Sequence, residues 1–259
     1  AAFKPGYLTS ASTTHTYIFP EDVIKQGPAP AGMPATWGTY RIDKAGHAAG
    51  TPVMGDYEMD PEVVNNPVYG PLLRDNLLNL PTISLVTDVS NLDIYFEDPQ
   101  ARGPEAERAV SVEWISPDGS EPGFQINAGV RLKGGVGRWE HIPKHPMRLF
   151  FRQEYGPGRL VYPLFPGSPV ESFDTLILRA GATYSFVGEL SPELTTYGRD
   201  EWLRRSQLDT FGFGSHGRFA HLYINGLYWG LYNVVERPDA EFAASYLGGD
   251  VEDWYSGNH

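Results

Sequence analysis

Lys133, Gly134, Gly135, Gly137 and Arg138 crowd into the stretch RLKGGVGR, a combination that suits an anion. Backbone amides of a glycine-rich loop can converge on phosphate oxygens, and cations beside them neutralise the charge. The same stretch also reads as a flexible turn, because it has neither P-loop spacing nor the kinase glycine pattern. Lys144, Arg148 and Arg152 follow at intervals of four. In an unbroken strand these positions share one face, making either a solvated sheet surface or a phosphate-facing strip. Pro146 argues for a break in that strand. Arg179 closes the apolar run LILR, where an unpaired guanidinium is expensive, so it needs an acid or a phosphate. Asp200, Leu203 and Phe211 fall within about a third of a helical circumference, which places Asp200 inward at a helix start. There it caps the helix, pairs with Arg204 or meets Arg179. Arg179 is expected within hydrogen-bond reach of Asp200, Glu201 or Glu236.

Other chemistries find less support. The chain of 259 residues has no cysteine, which rules out disulfides and thiolate zinc sites. Its seven histidines show no metal spacing, and His141 and His145 straddle Pro143, so no helix presents them together. Asp56, Glu58, Asp60 and Glu62 alternate, but a Ca²⁺ loop would need a glycine at its sixth position and a later glutamate. Asp60 as N-cap with Pro61 at the first helical position explains that stretch better. No metal ligands are assigned. A formal net charge of −12 disfavours a general nucleic-acid or anionic-membrane surface. No run reaches the roughly 18 apolar residues of a membrane span.

The elements that must hold these residues fall into three stretches. Residues 12–24 read as one strand, either at the sheet edge or closing a preceding β-domain (1–24). Residues 25–79 are dense in Gly, Pro and Asn and read as an ordered connector. From Leu80 to residue 259 the texture is strands, a helix over 199–211, a hairpin and a short helix ended by Gly248. That order is an α+β pattern, mainly antiparallel with few helices. Asn225-Gly226 predicts a two-residue type I′ turn, setting Ile224 opposite Leu227, Tyr223 opposite Tyr228 and Leu222 opposite Trp229. Ala220, Leu222, Ile224, Leu227, Trp229 and Leu231 then form a core face. Phe219, His221, Tyr223, Tyr228, Tyr232, Val234 and Glu236 form the other.

RLKGGVGR with IPKHPMRLFF, YPLFPG, LILRAG, GRDEWLRRSQLDTFG and HLYINGLYWGLYNVVERPDAEF, in that order, carry a resemblance. From about Leu80 onward the sequence resembles the CotH family of spore-coat and secreted proteins, whose members include atypical protein kinases. The resemblance implies a kinase-like small lobe, with residues 235–240 as the crossing segment where an adenine meets backbone groups. It implies ATP and Mg²⁺ as cofactors, with Gly135, Gly137, Arg138, Lys144, Arg148, Arg179, Asp200 and Glu236 around the nucleotide. Asp200 would position Arg179 as kinases position a phosphate-binding cation with a helix acid. The metal-holding and catalytic acids of the family lie in a larger lobe, expected beyond residue 259, so no catalytic residue is assigned. The partners implied are ATP, a secreted or coat protein phosphorylated on Ser or Thr, and covalently linked neighbouring domains. The expected location is extracellular or on a cell or spore surface, in a bacterial protein. The alternative is a non-catalytic structural or adhesive module of a bacterial surface protein.

Overall fold

The strands that begin after Leu80 close on themselves. The computed structural model describes residues 4–6, 13–43, 46–182 and 195–257. In chain order the elements are α1 (Pro20–Val23), β1 (Thr36–Thr39), β2 (Pro52–Met54), α2 (Pro61–Val64), α3 (Leu73–Asn79) and β3 (Thr82–Val86). Then come α4 (Asp93–Phe96), β4 (Arg108–Ile115), β5 (Phe124–Leu132), β6 (Met147–Phe150), β7 (Leu160–Val161) and β8 (Ser172–Phe173). The last are β9 (Thr175–Arg179), α5 (Arg199–Phe211), β10 (Gly217–Ile224), β11 (Leu227–Val235) and α6 (Ala240–Leu247). Seven strands form a closed barrel in the order β10-β11-β9-β6-β5-β4-β3. Neighbours are antiparallel except the closing pair, where β10 runs parallel to β3 with His221 opposite Thr82. The expected mainly antiparallel sheet with few helices is present, and barrel closure is an addition to it. Side chains fill a barrel of this size. Leu85, Val112, Leu149, Leu178, Leu222 and Val234 are all at most 2% exposed within it.

The hairpin departs from its expected register by one residue. Asn225 and Gly226 have φ of 50° and 82°, as a type I′ turn requires. Ile224 pairs with Leu227 and Tyr223 with Tyr228, but Leu222 then pairs with Gly230 instead of Trp229. Trp229 is the extra residue of a β-bulge, and Gly230 adopts φ 133°, a conformation that side chains disfavour. Because side chains alternate, the shift exchanges the faces of everything downstream. Tyr232 and Val234 therefore turn into the core, which they were not expected to line. Asn233 turns outward onto the sheet's other face.

Two further readings are corrected. Residues 13–19 form no strand ladder, and Pro20–Val23 is a helical turn. The segment instead crosses the outside of β3 and β4 through side chains. Thr14 Oγ1 lies 2.7 Å from Ser111 Oγ, and Thr16 donates its N–H to Glu113 and its hydroxyl to Ser84. Alternating Ser and Thr side chains thus do what a backbone ladder was expected to do. The inward face of α5 is also different: Glu201 is buried, whereas Leu203 and Phe211 are 54% and 75% exposed. Helix and barrel meet through charge, described below, and no apolar stripe is needed.

Part of the 25–79 stretch belongs to the core. Asp60 accepts a hydrogen bond from the Glu62 amide and Pro61 opens α2, so the acid serves as a cap. Trp37 stacks on Trp229 at 5.3 Å and meets Tyr95 edge-on at 5.2 Å. Tyr57 accepts from Trp37 Nε1 and donates to the Pro34 carbonyl. These rings belong to the same core as the barrel strands. Among the described residues no helix is long and apolar enough to cross a membrane.

Candidate functional site

The inside of the barrel is fixed by Leu132, Met147, Leu149, Leu176, Leu178 and Val234. Their alternates on β5, β6, β9 and β11 must point outward. Those alternates are Arg131, Arg148, Ile177, Arg179, Asn233 and Val235. Register brings them side by side: Arg131 opposite Arg148, Arg148 opposite Ile177, and Arg179 opposite Asn233. Lys133 continues β5 by one residue, its amide bonded to the Pro146 carbonyl. Arg237 follows β11 from the other side. In a chain with net charge −12, four cations converge here: Lys133, Arg148, Arg179 and Arg237.

Each arginine of the cluster has a partner. Arg179 Nε lies 3.1 Å from Asp200 Oδ2, as expected from its apolar strand. Asp200 also takes Arg204, which reaches Glu201 at 2.8 Å and bonds to Asn233 Oδ1. Asn233 returns a hydrogen bond to Glu201 at 3.1 Å. This network fastens α5 to β9 and β11. Arg148 donates to Thr175 Oγ1 at 2.7 Å and lies 3.8 Å from Asp239. Arg237 lies 3.5 Å from the same carboxylate. Burial, together with Arg237, pulls the Arg148 guanidinium down to about 10.

Lys133 is different. Its ammonium has no hydrogen bond or ion pair among the described residues, and Arg179, Arg237 and Arg148 all repel it. Burial first, then those three guanidiniums, pull its pKa down to about 8. It borders two clefts. One, of about 180 Å³, runs along Gly134, Gly137, Pro146, Ile177 and Arg179. The other, of about 190 Å³, is lined by Arg102, Arg131, Arg148 and Phe150 among others. An unpaired, half-buried ammonium among guanidiniums is unfavourable unless an anion joins it.

The other expected site residues have other surroundings. Gly135 is exposed at the loop tip beside the cluster. Gly137 is buried, and a Cβ there would meet the Pro146 ring at 2.9 Å. The Gly137 carbonyl accepts from His145 Nδ1 at 2.8 Å; a carbonyl only accepts, so Nδ1 carries the proton. Arg138 is 3% exposed and bonds to the carbonyls of Gly134, Gln100 and Ala101, and burial lowers its pKa. Lys144 bonds to the Asp56 carbonyl, lies 3.4 Å from the Asp56 carboxylate and sits 4.9 Å over the Trp229 ring. It is outside the cationic cluster because β6 starts only at Met147, after the break at Pro146. Arg152 pairs with Glu107 at 3.1 Å, at the far end of the same strand. Lys144 is therefore apart from the expected strip, whereas the Arg148 and Arg152 guanidiniums share the Phe150 ring at 4.5 and 4.7 Å. Glu236 is 3% exposed and accepts from the His216 amide at 2.7 Å and from the Tyr246 hydroxyl at 2.9 Å. It fastens α6 and the β10 entry, while Arg237 continues toward the cluster.

Arg148, Arg179 and Asp200 are thus brought together, and Lys133, Arg237, Arg204 and Asn233 join them. Lys133 was legible as a flank of the glycine loop. Asn233 was hidden by the bulge, and Arg237 was legible only as part of the 235–240 crossing segment. Among the described residues no three His, Asp or Glu side chains come together in a group able to hold a metal. Of the acids beside the cluster, Asp200 and Asp239 are each engaged by two arginines, and Asp174 lies close to Arg148 and Asp239. The described residues therefore do not offer a Mg²⁺ donor set, and no step is routed through one.

The site is a cluster of cationic side chains on the outside of a closed barrel, braced by a helix acid. Residues 173–257 match a family model described as CotH kinase protein, so that stretch is similar to this family. The match contains Arg179, Asp200, Asn233 and Arg237, and Lys133 and Arg148 precede it. No curated protein shows significant similarity to the chain.

Proposed function

We propose that this chain is the nucleotide-binding part of a CotH-like protein kinase. The phosphates of ATP lie against Lys133, Arg148, Arg179 and Arg237, with the Gly134–Gly135 amides closing over them. The carrying observation is the Lys133 ammonium, which has no partner among the described residues and is repelled by Arg179, Arg237 and Arg148. The Arg179–Asp200 pair supports the same reading, since kinases likewise hold a phosphate-binding cation with a helix acid. Asp200 and Asn233 orient the guanidinium side of the site, and Lys133 supplies a movable charge. By resemblance, the acceptor is a Ser or Thr of a secreted or coat protein, and the protein works outside the cell or on its surface. Mg²⁺, when bound, would neutralise the β- and γ-phosphates.

The alternative reading is a non-catalytic structural or adhesive module of a bacterial surface protein that keeps the fold. Calorimetric titration with ATP separates the two. The first reading expects binding that weakens steeply with salt and falls at least about tenfold in Lys133→Gln, as loss of a phosphate-facing cation should. No heat and no salt-dependent binding would leave the module reading standing.

A further inference from the structure

The Lys133 amine does more than lend charge to an anion site. The guanidiniums around it are restrained by Thr175, Asp239 and Asp200, while Nζ itself is unrestrained among the described residues. It opens onto both clefts. Guanidiniums gather phosphate-bearing molecules through paired N–H donors. A half-buried amine that faces only cations favours its neutral, nucleophilic form. A reagent that suits both features carries a phosphate and an electrophilic carbon, and gains if the phosphate is its leaving group.

We propose that Lys133 is a site of covalent acylation by small acyl phosphates whose phosphate is seated by Arg148, Arg179 and Arg237. The lone pair of the neutral amine attacks the acyl carbon and a C–N bond forms. The C–O bond to phosphate breaks, and inorganic phosphate leaves with that electron pair, stabilised by the guanidiniums. The nitrogen then loses its extra proton to solvent. The products are an Nζ-amide and inorganic phosphate, with nothing oxidised or reduced. Because the amide is neutral, acylation removes one of the four charges and weakens every anion at this face. The modification therefore acts as a control on the site. It rests on the anion-binding part of the reading above and not on nucleotide recognition or phosphoryl transfer.

A depressed pKa near 8 leaves about half of Lys133 neutral at pH 8, against under about 1% for an ordinary lysine. Lys25, exposed and 3.8 Å from Asp22, is the internal reference. The whole chain is incubated with acetyl phosphate at pH 8 and its lysines are followed by peptide mass spectrometry. Lys133 is expected to react at least about tenfold faster than Lys25, with a rate that saturates, because the reagent is bound before it reacts. Inorganic phosphate should slow Lys133 and leave Lys25 unchanged. A neutral reagent, N-hydroxysuccinimidyl acetate, should show less preference and no phosphate effect. Arg237→Gln should slow the acetyl phosphate reaction at Lys133 several-fold while Lys25 is unaffected. Equal rates at the two lysines, a rate that never saturates, or an equal preference from the neutral reagent each overturns the proposal. ATP titration of the same sample separates the two ideas. Selective labelling without ATP binding removes the nucleotide reading and keeps this one. ATP binding with unselective labelling does the reverse.

Discussion

Asp200 Oδ2 lies 3.1 Å from Arg179 Nε and also accepts from Arg204, so one carboxylate at the start of α5 restrains two guanidiniums. One belongs to the end of β9 and the other to α5 itself. The carboxylate is the hinge pin between the helix and the cationic face. It explains how a helix with Trp202 and Leu203 exposed at 67% and 54% still docks on the barrel.

Removing that carboxylate should therefore cost stability. Asp200→Ala leaves two partly desolvated arginines without their shared acceptor, and about 2 kcal/mol is expected. Asp200→Asn keeps an acceptor but not the charge and should lose less. Urea unfolding of the two variants beside the parent checks the order. Equal midpoints for all three would mean that the pair is no better than its solvated state.

Anion affinity should depend on pH through Lys133. Its pKa in the free protein is about 8, below the ordinary lysine value, so it carries charge at pH 7 and has largely lost it at pH 9. A bound phosphate favours the charged form, so binding takes up a proton in this window. Affinity for ATP should fall between pH 7 and pH 9 by several-fold, up to about tenfold. Lys133→Gln should flatten the profile. Titrations in two buffers of different ionisation heat would reveal the proton uptake directly.

Much of this arrangement could be read from residue order, and what could not has physical causes. Turn chemistry at Asn225-Gly226 and the Asp60-Pro61 cap are local, and the sequence states them directly. The acid for Arg179 was legible because a guanidinium cannot shed its proton in an apolar strand. The bulge at Trp229 was not legible. A one-residue insertion leaves the hydrophobic pattern nearly unchanged while moving Asn233 to the other face. The separation of Lys144 from Arg148 was legible only as the break that Pro146 argues for, since period-two counting carries no information across it. Barrel closure by the β3–β10 pair depends on contacts far apart in the chain, which short-range patterns do not encode.

Acid should weaken the fold through His145. It is 3% exposed, and burial pulls its pKa down to about 4. Above pH 6.5 the ring is neutral in both folded and unfolded chains and adds no pH dependence. Between 6.5 and about 4 the unfolded chain takes a proton that the folded chain refuses. Stability must then fall as pH falls, by up to about 1.4 kcal/mol per unit from this residue. Below that range both states are protonated and the contribution levels off. His145→Asn should show a shallower slope between pH 6.5 and 4.5, whatever its absolute stability. Parallel slopes for the two proteins would remove His145 as the acid-sensitive group.

Lys144 and Lys133 provide the sharpest division between scaffold and site. Eleven residues apart, they look alike in sequence, each a lysine near a proline or glycine at one end of an apolar strand. Lys144 is spent on the Asp56 carbonyl and carboxylate and on the Trp229 ring. Asp56 raises its pKa, but burial acts more strongly and lowers it overall. Lys144→Met removes a buried cation and strands the Asp56 carboxylate, so it should lower stability by roughly 1–3 kcal/mol. It should leave ATP affinity within about a factor of two, because no contact links it to the guanidinium cluster. Lys133→Met should behave oppositely. Replacing an amine repelled by Arg148, Arg179 and Arg237 relieves like-charge crowding, so stability should hold or rise, while ATP affinity falls. Thermal unfolding and calorimetric titration on the two variants place each lysine on one axis. Loss of ATP binding in Lys144→Met at full stability would move the nucleotide site to the surroundings of Asp56.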